Sequence, residues 1–473
     1  MKTKLLLSVV ISAVLLIVPC AFARAGQAPD THVAKFQNAL EQDGFDVTEG
    51  AVVPWNPAAE WCANTPGVDS ALYFNIETYI QVKVPASAQV PDQLSGQFHL
   101  DPQEAVVVIG LTPPPAKYFS ITPYLWSRVY PDGSRKPVPA TAGDSVNVAT
   151  VRTIGPTPFN APVALIFTPD QTTDALVRAA LRRAGYPAEI INTVVFPASL
   201  LKLGYGETSD LLTIAMRNAI WEVPAAGSDY VNRPPLRVFR VTPRTLSTAS
   251  PFPAPPLRVR GTGKTEMDLM NKLDQLRENI IEANAGMEAA DIQTMPMCNE
   301  GYDLIQRGIV WCGDSRDAFY VGAGLPDYDP INRIRLADGE FLMIYGVNHV
   351  ATGKATYMNT NIYASETAKL TLGAIDDRDF TGKGTATPFL QAGDPDADLM
   401  YAYKVSRNCG TPHEPNCLEL SPPKGCTRLT LDSSTLLGVF TRSYLEPATK
   451  IGPAMPEILY DRVIKFSPRA LQP

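Results

Sequence analysis

The chain writes one strand twice. Residues 237–243 read RVFRVTP and residues 462–468 read RVIKFSP: Arg-Val, an apolar residue, a cation, an apolar residue, a hydroxyl, then Pro. The same offset of 225 residues relates 207–212 (ETSDLL), running on to Arg217, to 432–437 (DSSTLL), running on to Arg442. Further upstream, Leu100-x-x-x-Glu104 precedes an apolar run and Gly110, as Leu336-x-x-x-Glu340 precedes an apolar run and Gly346. Tyr118, Thr122 and Tyr124 are spaced like Tyr357, Asn361 and Tyr363. Short insertions account for the larger upstream offsets of 236 and 239. Four matches in one order predict an internal duplication into two homologous halves, 26–248 and 257–473. The stretch 249–256 (ASPFPAPP) reads as a stiff extended linker. The competing explanation is shared strand grammar, since apolar runs ending in Gly or Pro are common in β proteins.

A chain of 473 residues is long for one core, and 43 prolines disfavour long helices. The fold class expected is α+β: two largely antiparallel β-sheet domains, each opened by a helix. In the first half Asp30 can cap a helix with Val33, Phe36 and Leu40 on one face, ended by Gly44. In the second, Thr262 or Thr265 can cap a helix over 266–284 with Leu269, Leu273, Leu276 and Ile280 aligned. A further helix is expected over 174–184, ended by Gly185. Strands are expected over 105–109, 117–126, 163–168, 341–345, 355–363 and 399–405.

Residues 1–25 combine Lys2 and Lys4, an apolar run and small residues at Ala21, Ala23 and Ala25, the pattern of a secretory signal peptide. The expected location is the periplasm or the extracellular space of a bacterium. Six cysteines remain beyond it: Cys62, Cys298, Cys312, Cys409, Cys417 and Cys426. An even count in an exported chain reads as disulfides, with Cys298–Cys312 a local clip and at least two of the last three paired. A net charge of −7 without a basic patch argues against nucleic acid, and no other apolar run has the length of a transmembrane segment.

No catalytic motif is complete. The stretch 261–265 (GTGKT) resembles the tail of a phosphate loop, but Arg258 stands where its first glycine belongs, so a turn and helix start is the better assignment. Ser199-x-x-Lys202 lacks its partner elements. Asp394, Asp396 and Asp398 lack the bend glycine and closing glutamate of a calcium loop, and no metal or cofactor is expected. The loop 345–357 (YGVNHVATGKATY) is three residues longer than its first-half counterpart and carries Asn348, His349, Thr352 and Lys354. A histidine there can act as a general base, Lys354 can hold an anion, and Asp317 can orient them. That makes His349, Lys354 and Asp317 the catalytic candidates. Tyr345, Asn348, Tyr357 and Arg316 are the ligand-binding candidates. The plainer alternative is a histidine that bonds a loop backbone beside a solvated lysine.

The phrases RVRGTGKTE (258–266), YGVNHVATGKATY (345–357), YLEPATKIGP (444–453) and YDRVIKF (460–466) resemble a group of uncharacterised exported proteins. The resemblance implies export and a common architecture over the mature chain, and no activity, cofactor or residue role. The expected function is therefore a non-catalytic exported protein of the cell envelope or one binding a small organic ligand or sugar, with tyrosine-rich strands facing a cleft between the halves. The alternatives are a hydrolase or lyase using His349, and a structural partner-binding protein.

Overall fold

The segment AVVVIGL, Ala105–Leu111, has six of its seven residues buried, so apolar layers cover it on both faces. The computed structural model describes residues 30–55, 77–297, 313–324, 332–365 and 370–469, together with Ile305. The first half runs α1 (Asp30–Gln42), β1 (Phe45–Glu49), β2 (Ala51–Trp55), β3 (Thr78–Pro85), β4 (Leu94–Ser95), β5 (Ala105–Leu111), β6 (Ala116–Val129), β7 (Arg135–Thr141) and β8 (Val146–Asn147). It continues with β9 (Pro162–Thr168), α2 (Gln171–Arg183), β10 (Ile191–Val195), β11 (Leu211–Trp221), α3 (Pro224–Asn232) and β12 (Leu236–Pro243). The second half runs α4 (Met270–Ala283), β13 (Met287–Ile292), β14 (Met295–Pro296), β15 (Ala318–Ala323), β16 (Phe341–Val347) and β17 (Tyr357–Ala364). It ends with β18 (Leu370–Asp376), α5 (Asp377–Phe380), β19 (Met400–Ser406), β20 (Cys417–Glu419), β21 (Leu437–Tyr444) and β22 (Arg462–Pro468).

Four sheets result. The outer sheets have the orders β1-β12-β5-β9-β10 and β13-β22-β16-β19-β20; the inner sheets are β2-β3-β11-β6-β7, with β4 and β8 at its margins, and β14-β15-β21-β17-β18. Position by position the two halves have the same strand order. In each outer sheet the last pair is parallel and the others antiparallel. The class is α+β with mostly antiparallel sheets and few helices.

The repeated words occupy matching registers. RVFRVTP and RVIKFSP are the second strands of the outer sheets. Arg240 lies opposite Val106 and Lys465 opposite Leu342, one position after Ala105 and Phe341. In the inner sheets Arg217 lies opposite Tyr79 and Ser120, and Arg442 opposite Tyr320 and Asn359. Isolated bridges join Phe98 to Leu212 and Ile334 to Leu437. The Leu-x-x-x-Glu words repeat a bonding pattern as well. Glu104 pairs with Arg240, accepts from Thr242 Oγ1 at 2.5 Å and from the Asp101 N–H at 2.8 Å. Glu340 pairs with Lys465, and accepts from Ser467 Oγ and the Ala337 N–H, both at 2.6 Å.

Period-two alternation builds the layers. Ile80, Val82, Ile121, Leu212, Ile214 and Met216 of the first inner sheet pack on Val106, Val108, Leu165 and Val238 of its outer sheet. The other face of that outer sheet, Val107, Ile109, Ile166 and Phe239, is covered by Val33, Phe36 and Leu40 of α1 and Val177, Ala180 and Leu181 of α2. In the second half, Leu273, Leu276 and Ile280 of α4 cover Met343, Tyr345, Ile464 and Phe466. Leu342, Ile344 and Val463 face Met358, Ile362, Leu437 and Val439. No helix among the described residues is long and apolar enough to cross a membrane.

Three expectations shift. The helix expected from 174 begins at Gln171, because Asp170 caps it through the Thr173 N–H at 2.8 Å. The second-half helix begins at Met270 after a 3-10 turn, Met267–Leu269, with no side-chain cap. Thr262 does not cap it, since its hydroxyl faces Glu446 and Glu457. The proline-rich stretch is extended but attached: the Ser250 N–H donates to Asp170, and the Phe252 N–H to Pro169 O at 2.8 Å.

The repeated Glu–cation pair supplies an internal control. The first-half pair is almost fully buried, whereas Lys465 and Glu340 are 26% and 13% exposed. Glu104→Ala strands a buried guanidinium and is expected to cost about 3–5 kcal/mol. Glu340→Ala should cost about 1 kcal/mol or less. Urea denaturation of the two variants checks the ordering, and equal losses would contradict it.

Candidate functional site

The loop between β16 and β17 carries four sequence-predicted residues, Asn348, His349, Thr352 and Lys354, and the fold spends their polar groups on separate sets of neighbours. His349 is fully buried. Its Nδ1 is 3.0 Å from both oxygens of Glu266, and its Nε2 is 3.9 Å from Asp461 Oδ2, a charge contact longer than a hydrogen bond. Glu266 also accepts from Thr352 Oγ1 and, at 3.0 Å, from the Leu459 N–H. Burial works against charge on the imidazole, but the Glu266 carboxylate, with Asp461, outweighs it and holds the pKa up at about 10. Burial likewise opposes ionisation of Glu266, and His349, Thr352 and the Leu459 amide bring its pKa below the ordinary value. The result is a buried ion pair that fastens the loop to the start of the second half and to the residues just before β22.

Lys354 closes a second cluster. Its Nζ donates to Glu457 at 2.6 Å, Glu446 at 2.8 Å and Thr262 Oγ1 at 3.1 Å. Glu457 in turn accepts from the N–H groups of Thr262 at 2.9 Å and Gly263 at 2.6 Å. The GTGKT amides that would cradle a phosphate thus hold a carboxylate of the same chain. At Gly261, φ is +91°, and an added Cβ would lie 2.6 Å from Glu457 Oε1, so the close approach needs glycine. Asn348 donates to Thr381 Oγ1 at 3.1 Å and caps its own loop through the Ala351 N–H.

Arg316 and Asp317 act elsewhere, in a strap between the halves. Asp317 accepts from Tyr118 OH at 2.9 Å and Asn147 Nδ2 at 2.8 Å, and Arg316 donates to Asp144 at 2.6 Å. Asp314, beside them, accepts from the N–H and hydroxyl of Thr141 at 2.9 and 2.7 Å. The carboxylate orienting His349 is Glu266 rather than Asp317; in the sequence Glu266 reads only as a helix start. Burial lifts the Asp317 pKa to about 7 against the pull of Asn147 and Tyr118.

Between the inner sheets, Tyr357 stacks on Tyr444 with ring centres 5.3 Å apart, and Tyr118 approaches Tyr444 at 4.7 Å. The tyrosine-rich strands do face the junction. Tyr118, Tyr124, Tyr357 and Tyr363 are buried there, packed rather than lining an open cleft.

Tyr345 is the one predicted ligand residue beside open space. It lies at the floor of a groove of about 590 Å3 between the start of α4, β22 and residues 455–460. Its ring is buried, and its hydroxyl lies beside the Arg462 guanidinium but donates to no acceptor. Arg277, Arg462, Met267, Met270 and Met455 also line the groove. Composition gave no signal for it, because the methionines come from two segments nearly two hundred residues apart.

Cys409 and Cys417 form a disulfide, and Cys426 is disulfide-bonded as well. Cys62, Cys298 and Cys312, with the expected 298–312 clip, lie outside the described residues. Cys409, His413 and Glu419 cluster like metal ligands, but the Cys409 sulfur is committed to its disulfide.

No family model matches this chain, and no curated protein does. Among solved structures it is similar to the VPA0106 protein of Vibrio parahaemolyticus, at 11% identity and TM-score 0.38, over 92% of this chain and 95% of that one. It is also similar to an uncharacterised protein from Burkholderia cenocepacia, at 11% identity and TM-score 0.37, over 92% and 87%.

Two outcomes follow from the ionisations. His349→Gln leaves Glu266 buried without its cation and should destabilise by about 3–5 kcal/mol near pH 6. The folded imidazole keeps its proton above its unfolded value of 6.5, so this advantage is complete below pH 6.5 and disappears as pH rises to about 10. Denaturation midpoints across that window should show the gap between the two proteins narrowing. For Asp317 the sign gives a penalty: the folded state holds a proton that the unfolded chain has lost, so its contribution falls from pH 3.8 to about 7. Asp317→Asn should therefore gain on the parent between about pH 4 and pH 8, and a constant difference in urea stability would contradict the assignment.

Proposed function

We propose that this is an exported, non-catalytic protein that binds a small organic molecule in the groove above Tyr345. The observation that carries this is a fully buried phenol whose O–H donates to no acceptor, at the floor of an apolar recess. A buried polar group left unmet costs roughly 1–3 kcal/mol, and a ligand acceptor would relieve that cost. The volume of about 590 Å3 falls within the roughly 300–1,000 Å3 usual for small-molecule sites. Export is supported by the amino-terminal pattern of residues 1–25 and by disulfide bonding at Cys409, Cys417 and Cys426.

The scaffold is two descendants of one copied module, 26–248 and 257–473, joined by 249–256. Equal strand orders and the repeated registers of Arg217 with Arg442 and Arg240 with Lys465 support this. Hydrolase or lyase chemistry at His349 has less behind it, since the ring is fully buried and its Nδ1 is spent on Glu266.

Native mass spectrometry of the mature chain, released gently from its host, should show a fraction carrying a bound small molecule. Adding that molecule back to stripped protein at about a hundred times its Kd should stabilise the fold by about 2.7 kcal/mol. Met270→Trp, which fills the groove mouth, should abolish the carried mass. A carried mass that Met270→Trp leaves unchanged would move the site elsewhere.

A further inference from the structure

The groove has polar equipment of a particular kind. Tyr345 on β16 lies directly opposite Arg462 on β22. Arg462 gives Nη1 to Asp274 at 2.6 Å, while its Nη2 meets the Met270 thioether at 3.3 Å, a weak acceptor. One arm of the guanidinium fork thus has a sulfur where a second carboxylate oxygen would bond better. Burial pushes the Tyr345 phenol up to about 12, so it stays protonated at neutral pH and offers a donor. The first turn of α4 lines the same groove, and its amino-terminal end has no side-chain cap, which adds partial positive charge. Asp274 and Asp291 are already paired with Arg462 and Arg277.

The first half builds the matching register differently. At the matching register Ile109 lies opposite Arg237. Ile109 is packed in the apolar layer beneath α1 and α2, and Arg237 is forked onto both oxygens of Glu49, at 2.7 and 2.8 Å. The second half has a phenol where the first has an aliphatic side chain. It also has an arginine with one arm on a thioether where the first has a saturated one. Met267 and Met455 at the rim are 43% and 51% exposed, among the most exposed large apolar residues described. Thioether side chains adapt to varied apolar shapes.

Building on the binding assignment above, we infer that the ligand is a carboxylic acid with an apolar body, its carboxylate held by the Tyr345 hydroxyl and the Arg462 guanidinium. The methionines take the aliphatic or aromatic portion. Arg277 stays with Asp291 at the rim and shapes the entrance.

The test is calorimetric titration of the mature protein with octanoate, 1-octanol and octylammonium, which share a body and differ in headgroup. Octanoate should bind at least about tenfold more tightly than octanol, and octylammonium should bind weakest, because a charge-assisted pair is worth more than a neutral bond. Tyr345→Phe should weaken octanoate about tenfold and leave octanol unchanged. The same variant should leave the Tm of the empty protein nearly unchanged, since the O–H it removes donates to no acceptor. That combination separates recognition from a merely structural role. Equal binding of octanoate and octanol would overturn the carboxylate inference and leave the groove as a binding site. Binding by none of the three, together with no carried molecule in native mass spectrometry, would overturn both.

Discussion

Two buried guanidiniums hold the architecture together. Arg217 and Arg442 occupy matching positions on the central strands of the two inner sheets, and both are almost fully shielded from water. Each is flanked by aromatic rings on the neighbouring strands: Tyr79 and Tyr124 around Arg217, Tyr320 and Tyr363 around Arg442, at 5.7–6.0 Å. A buried cation persists where rings and acceptors replace its lost hydration. Arg217 obtains its acceptors across the junction, from Gly313 O at 2.9 Å and Asp314 O at 3.4 Å. The strap 313–317 is therefore not a loop that happens to touch the first half; it supplies backbone acceptors to the first half's central cation.

Much of this arrangement follows from patterns visible in the sequence. Leu-x-x-x-Glu, Arg217 with Arg442, and the two closing strands could be matched because each repeats a bonding requirement rather than a preference. A glutamate that must serve a cation, a hydroxyl and an amide leaves a mark on all three partners. The faces of α1 and α2 were legible for the ordinary reason that apolar residues recur at helical spacing. The short strands β10 and β20 were not, since Ile191–Val195 and Cys417–Glu419 gain their strand character from a parallel neighbour rather than from local pattern.

The candidate site was legible only in pieces. The loop 345–357 stood out by its length and its histidine, but its partners Glu266, Glu446, Glu457 and Asp461 lie up to a hundred and more residues away. Spacing along a chain carries no information about such pairings. In the sequence Tyr345 is marked only by standing at that loop's first position, whereas what distinguishes it is an environment created by α4 and residues 455–460. The contrast with Ile109 emerges only after the two halves are aligned by register.

The carboxylate of Glu457, seated on the amides of Thr262 and Gly263 and capped by Lys354, has a broader implication. A glycine-rich turn with an adjacent lysine is an anion receptor whatever fills it, and here an internal side chain is the permanent guest. Letters alone cannot tell a vacant receptor of this kind from one whose guest is a side chain of the same chain. The distinguishing mark is a distant acid whose removal would leave the receptor hungry.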